Sequence, residues 1–185
     1  VFKVYDQVND VNGDGEINVD DTDGEGNYLN EGLAPAADFT YDRTAPEISS
    51  ATVDTNSNEY IEVTFDGELL FNSDDASGAL QADDFVITLT GGGNATLGSN
   101  TPSYIRNNAG EPAVAGDSLF QLGLENLIGV PDGNETITVL PAAENEIYDA
   151  AGNAADDDTQ PNNSINLVDK IPPKFINENG DENTI

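Results

Sequence analysis

Oxygen-bearing side chains recur at alternate positions in Asp10-Val11-Asn12-Gly13-Asp14-Gly15-Glu16-Ile17-Asn18-Val19-Asp20-Asp21. Asp10, Asn12 and Asp14 take the first, third and fifth places of a loop that Asp21 closes, with Gly15 at the sharp turn and apolar Ile17 as its anchor. Alternate carboxylate and amide oxygens converge on one hard cation, and the Glu16 carbonyl adds a further oxygen. That chemistry is calcium binding, with Asp10, Asn12, Asp14, Glu16 and Asp21 as ligands. A second, imperfect loop overlaps the first: Asp21, Asp23, Glu25 and Asn27 supply oxygens, Gly26 the turn, Tyr28 the anchor and Glu31 the closing carboxylate. The alternative for both is a solvated acidic linker.

No other constellation of comparable strength occurs. There is no His and no Cys, so the commonest general base and the thiol nucleophile are both missing. With 36 acidic residues, neighbouring carboxylates arise by accident, so a carboxylate pair alone does not indicate a glycosidase. Sugar sites favour aromatic platforms, and the chain has no Trp and six Tyr. The reading is therefore a non-enzyme. Asn94-Ala95-Thr96, Asn134-Glu135-Thr136 and Asn162-Asn163-Ser164 are acceptor sequons, so Asn94, Asn134 and Asn162 are candidate glycosylation sites, in about the number chance would give. Gly91-Gly92-Gly93 lacks the Lys and Ser/Thr of a phosphate loop and reads as a hairpin turn.

These residues are set in a repeating frame. Tyr5-Asp6 recurs as Tyr148-Asp149, 143 residues on, and Asp42, before a Pro-containing joint, recurs as Asp169, 127 residues on. The 16-residue difference lies in the acidic stretch that carries the calcium loops. The chain reads as the tail of one repeat (1–8), a calcium-binding loop segment (9–32), a connector (33–46), a whole β-sandwich repeat (47–168) and the start of the next (169–185). A period this long implies whole domains strung as beads.

Within 47–168 the elements read as β-strands. In Ile61-Glu62-Val63-Thr64-Phe65-Asp66 every second residue is apolar, giving one dry and one wet face. Phe85, Ile87 and Leu89 repeat the pattern, as do Phe120, Leu122 and Leu124. Ile137 with Val139 and Ile165 with Leu167 add two short strands, and 48–53 a first one. Turn clusters lie between them at 54–58, 91–94, 107–110, 132–134 and 151–153. Residues 77–84 have room for one helical turn. The expected interior is Ile61, Val63, Phe65, Phe85, Ile87, Leu89, Phe120, Leu122, Ile137, Val139, Ile165 and Leu167. The expected class is all-β, an immunoglobulin-like β-sandwich with an acidic calcium-binding loop segment at the inter-repeat joint.

The entry sequence Thr44-Ala45-Pro46, the strand Tyr60 to Phe65, Ala82-Asp83-Asp84-Phe85 and Asp149-Ala150-Ala151-Gly152-Asn153 together resemble the tandem immunoglobulin-like repeats of bacterial and archaeal surface proteins. That resemblance covers most of 42–175. It implies a structural or adhesive role in a surface layer, adhesin or filament. The first calcium loop resembles dockerin repeats in closing on Asp21. The helix that should follow is missing, because Thr22-Asp23-Gly24-Glu25-Gly26 holds two glycines in five residues, so cohesin binding is not carried over. The overlapping loops resemble thrombospondin type 3 repeats. In the whole repeat the stretch at 149–158 lacks the loop template. Asp149 and Asn153 read there as turn caps, with a calcium ion on Asp149, Asp156 or Asp157 and an inter-repeat acid such as Asp169 as the alternative.

Charge sets the setting. Against 36 acidic residues stand five basic ones, for a net charge of −31. Such a surface repels nucleic acid and anionic membranes. It also repels itself, unless divalent ions or concentrated salt neutralise it; at about 1 M salt the Debye length falls to ~3 Å. The Asp-rich, Lys-poor composition resembles proteins of extreme halophiles, with a marine or secreted calcium protein as the alternative. No run reaches the ~20 apolar residues of a membrane span. The expectation is an extracellular, cell-surface module whose partners are neighbouring repeats, other copies of itself and a glycan. The alternatives are a glycan-binding or accessory module of a secreted polysaccharide-degrading enzyme, or a viral turret or tail-fibre domain. The joint between repeats reads as dense in like charges and short of apolar residues.

Overall fold

The computed structural model of the chain describes residues 42–174, within a compact unit that begins at Asp42. The calcium-loop residues Asp10, Asn12, Asp14, Glu16, Asp21, Asp23, Glu25, Asn27 and Glu31 lie outside the described residues.

Among the described residues nine strands follow one another: β1 (Ile48–Val53), β2 (Tyr60–Phe65), β3 (Phe85–Thr90), β4 (Thr96–Leu97), β5 (Ile105–Asn107), β6 (Leu119–Gly123), β7 (Leu127–Ile128), β8 (Thr136–Pro141) and β9 (Ser164–Asn166). All pairings are antiparallel. One sheet has the order β1-β2-β6-β5, a second β3-β8-β9, and β4 with β7 forms a two-stranded ribbon. The body is all-β and sandwich-like, because alternation turns one face of each main sheet into a shared core. Ile61, Val63 and Phe65 of β2 and Phe120 and Leu122 of β6 meet Phe85, Ile87, Ile137 and Val139 of the other sheet. The Phe85 and Phe120 rings touch across it, 6.0 Å apart and tilted, a geometry the ring quadrupoles favour. Glu62 and Thr64 point the other way and stay half-exposed.

The interior departs from expectation in two ways. Leu89 and Ile165 are half-buried rather than enclosed; both flank Ile137 in the second sheet. Leu70, Leu80, Leu124, Ile147 and Ala155 are buried although none belongs to a strand. The helical turn shrinks to a 3-10 turn at Ala82–Asp84. The triglycine is a turn but not a hairpin, since β3 pairs with β8 and the chain crosses to the β4–β7 ribbon instead. Gly91 (φ +98) is required there, because a Cβ would collide with the Asn134 carbonyl.

The two ends of the sandwich differ in content. At the N-terminal pole lie the incoming segment 42–47, the loop after β2 and the loop at 149–153. At the C-terminal pole lie the turns at 54–59, 91–95 and 129–135 and the outgoing segment 167–170. The apolar run of each sheet strand fixes its register and so holds these loops at their poles.

Candidate metal centre at the N-terminal pole

Asp149 follows Tyr148, which is bridged to Phe71 through both of its backbone groups (2.8 and 2.9 Å). The chain then reverses over 149–153. Gly152 makes the turn at φ +83, with the Asp74 carbonyl where a Cβ would press at 2.8 Å. Asp149 is fully buried. Its Oδ1 accepts from the Ala151 and Asn153 amides, both at 2.8 Å, and its Oδ2 from Asn153 Nδ2 at 2.7 Å. The capping role read from the sequence for Asp149 and Asn153 therefore stands. Asn153 Nδ2 also reaches the Asp42 carbonyl at 3.4 Å, which ties the incoming segment to this loop.

Asp42 closes its own turn by accepting from the Thr44 amide at 2.9 Å. Glu68 is supplied by the loop after β2. Buried Leu70 anchors that loop through backbone bonds to Asp117 (3.3 Å) and Gly116 (2.9 Å). These restraints bring one carboxylate oxygen each of Asp42, Glu68 and Asp149 within 4.8 Å of one another. Partial burial raises the Glu68 carboxyl above its ordinary value, and the charges of Asp42, Asp149 and Asp66 push the same way.

The donor set is all carboxylate, the chemistry that suits hard cations. Calcium–oxygen bonds of about 2.3–2.6 Å allow one ion to touch oxygens separated by this span. Asp149 spends three of its roughly four lone-pair positions on the loop, so it has one left for an ion. The three residues could hold a metal ion. Asp156, Asp157 and Asp169 are not part of the group. Asp156 Oδ1 instead accepts from the Thr159 and Asp158 amides (2.7 and 2.9 Å), and those bonds lower its carboxyl. Asp169 lies at the opposite pole, beside Gly133.

Two further carboxylates are buried. Glu135, 1% exposed, accepts from the amides of Ala95 (2.8 Å), Asp132 (3.0 Å) and Gly133 (3.1 Å). Burial alone would raise it, but those bonds together outweigh burial and hold it below the ordinary value. Asp84 accepts from the Gln81 amide at 2.7 Å. Burial, with the charge of Glu146 beside it, pushes its carboxyl up to about 6. The sequon asparagines Asn94, Asn134 and Asn162 are all exposed. Tyr60, Tyr104 and Tyr148 are each half-buried; Tyr104 lies against Gly123 with the Arg106 guanidinium 4.4 Å from its ring. Among the described residues no helix is long and apolar enough to cross a membrane.

No family model matches the chain, and neither does any curated protein or solved structure.

Proposed function

We propose that residues 42–174 are one immunoglobulin-like module of a tandemly repeated, exported surface or filament protein, and that calcium stiffens its joints. The observation that carries this reading is the meeting of Asp42, Glu68 and Asp149. Asp42 belongs to the segment by which the chain reaches the module, and Glu68 and Asp149 belong to the module's body. An ion shared among them pins the one to the other. Without it, three like charges held this close repel, and the incoming segment is the part free to move away.

The periodic frame supports the same reading. Asp169 repeats Asp42 in sequence, and it repeats the local structure: the Ile171 amide donates to Asp169 Oδ1 at 2.8 Å as the Thr44 amide does to Asp42 Oδ1. The role is mechanical rather than catalytic. Extracellular calcium modules bind in the range of about 10⁻⁴–10⁻³ M, so millimolar calcium fills such a centre and chelation empties it. Monovalent salt screens the repulsion but supplies no multidentate coordination.

Small-angle scattering of the intact chain tests this reading, with calcium titrated against chelator at low and at molar salt. The expected result is a calcium-dependent gain in length and stiffness at both salts, smaller at the higher one. A profile indifferent to calcium at both salts would overturn the joint-stiffening role.

A further inference from the structure

Among the described residues, five large apolar side chains stand well exposed: Leu69 (54%), Val114 (56%), Ile128 (60%), Val130 (51%) and Ile171 (37%). Their placement is uneven. Leu69 and Val114 lie at the N-terminal pole, on the adjoining loops that Leu70, Gly116 and Asp117 join by backbone bonds. Ile128, Val130 and Ile171 lie at the C-terminal pole. Four of the five lie outside the strands, and Ile128 ends the two-residue β7. On a chain of net charge −31, apolar groups gathered at the two ends mark contact surfaces.

The outgoing chain shows what must reach the C-terminal pole. Residues 167–170 are fastened to the body along their whole length. The Leu167 amide donates to the Glu135 carbonyl (2.9 Å), and the Lys170 amide to Pro131 (2.8 Å). Buried Asn58 brackets Val168, donating to its carbonyl (2.8 Å) and accepting from its amide (3.0 Å). Lys170 Nζ caps the Thr55 and Asn56 carbonyls (3.0 and 2.7 Å). Yet Asp169 is already the first residue of the next period, in the same turn as Asp42. On the tandem reading, the last fastened residues of one module are thus the turn that opens the next, which leaves little slack between them. Pro172 and Pro173 stiffen the continuation further. A groove of about 360 Å³ opens beside this exit, lined in part by Leu124, Leu127, Val130 and Lys170 itself.

We propose that the C-terminal pole, through Ile128, Val130 and Ile171, docks directly onto the N-terminal pole, Leu69 and Val114, of a following copy of this module. The inference rests on the tandem reading above and adds its interface: head-to-tail, apolar at the centre and acidic at the rim. Because the two patches differ, the contact does not close on itself and propagates along a filament. Covalent tandem linkage supplies an effective concentration of about millimolar, so a small patch suffices in the chain. Between separate chains the same contact is weak, and the acidic rims oppose it until salt screens them.

The test uses the full 185-residue chain in ~2 M potassium chloride, where screening is nearly complete, observed by methyl NMR and sedimentation velocity between ~20 µM and ~2 mM. Wild type should show concentration-dependent methyl shifts at both poles and a rising weight-average mass. Val114→Asp and Val130→Asp should each weaken self-association at least about tenfold. Mixed together, the two should form a dimer and nothing larger, since each still carries one intact pole. Both positions are more than half exposed, so the fold should survive; Leu69→Asn and Ile128→Asn serve if either variant misfolds. A wild type that stays monomeric to ~2 mM would overturn the docking, as would association untouched by the variants or a mixture that fails to pair. Calcium binding by Asp42, Glu68 and Asp149 is read separately in the same samples. A monomeric chain that still binds the ion loses the docking alone, and one that associates without binding it loses the calcium joint alone.

Discussion

Replacing Glu135 by Ala removes the acceptor of three backbone amides at once. The Ala95 amide is in a buried environment, and stranding such a donor costs about 1–3 kcal/mol. The Asp132 and Gly133 amides are half-exposed, so water replaces the carboxylate at about 0.5–1 kcal/mol each. The total is about 2–5 kcal/mol, large for a residue outside the apolar core. Glu135→Gln keeps one acceptor oxygen and should cost about half as much. Since the folded carboxyl lies below its ordinary 4.5, its charge stabilises the fold fully above pH 4.5, and that contribution is lost as pH falls through the lowered value. The gap between wild type and Glu135→Ala should therefore be widest near neutrality and narrow in acid. Urea unfolding followed by tyrosine fluorescence at fixed salt measures it, the chain having no Trp. A loss below ~1 kcal/mol, or a gap that ignores pH, would refute the claim that this carboxylate staples the 91–95 turn to the 131–135 turn.

Other expected outcomes concern the core, the second buried acid and the loop of the candidate metal centre. Phe65→Ala should cost about 3–5 kcal/mol in the same unfolding assay, because the side chain is fully enclosed between the sheets. Asp84, pushed up to about 6 from 3.8, favours folding while protonated; that contribution is complete below 3.8 and lost as pH rises through 6. Asp84→Asn should thus raise stability near pH 7.5 by about 1–2 kcal/mol, less than the full shift implies because water screens the site. It should also flatten the fall in stability between about pH 4 and 6 seen by thermal melts. Gly152→Ala places a Cβ against the Asp74 carbonyl at positive φ and should cost about 1–3 kcal/mol, with weaker calcium binding in a titration.

Alternation made the main strands legible. Ile61, Val63 and Phe65 announce an inward face, and the structure puts all three inside. Two- and three-residue strands such as Thr96–Leu97, Ile105–Asn107 and Leu127–Ile128 are shorter than any period that could reveal them. Leu70, within Leu69-Leu70-Phe71, and Leu80 and Ile147 lie in loops that show no alternation, so their burial depends on what folds over them. The turn at 149–153 was legible because Asp, Gly and Asn each leave a local signature. Its meeting with Asp42 and Glu68 was not, because residues distant in sequence leave no mark of contact in a single chain. Glu135 stood inside a sequon that directs attention to Asn134. Its burial follows from the turns that fold over it, and a Cβ at Gly93 would strike its carboxyl. Ile128, Val130 and Ile171 gather at the C-terminal pole. They are scattered along the sequence, and only the fold collects them.

A calcium ion that pins the incoming segment to the body through Asp42, Glu68 and Asp149, as proposed, must slow the opening of that segment. Amide hydrogen exchange of the intact chain at ~2 M potassium chloride, with chelator and then with ~10 mM calcium, tests it most directly. For a dissociation constant of about 10⁻⁴–10⁻³ M, occupancy should slow local opening by roughly 10- to 100-fold. That slowing is expected at the Thr44, Ala151 and Asn153 amides, with its loss in the double variant Glu68→Gln with Asp42→Asn and little change at core amides of the sheets, such as those of Val63 and Phe120. Unchanged exchange at Thr44, Ala151 and Asn153 on adding calcium would contradict it.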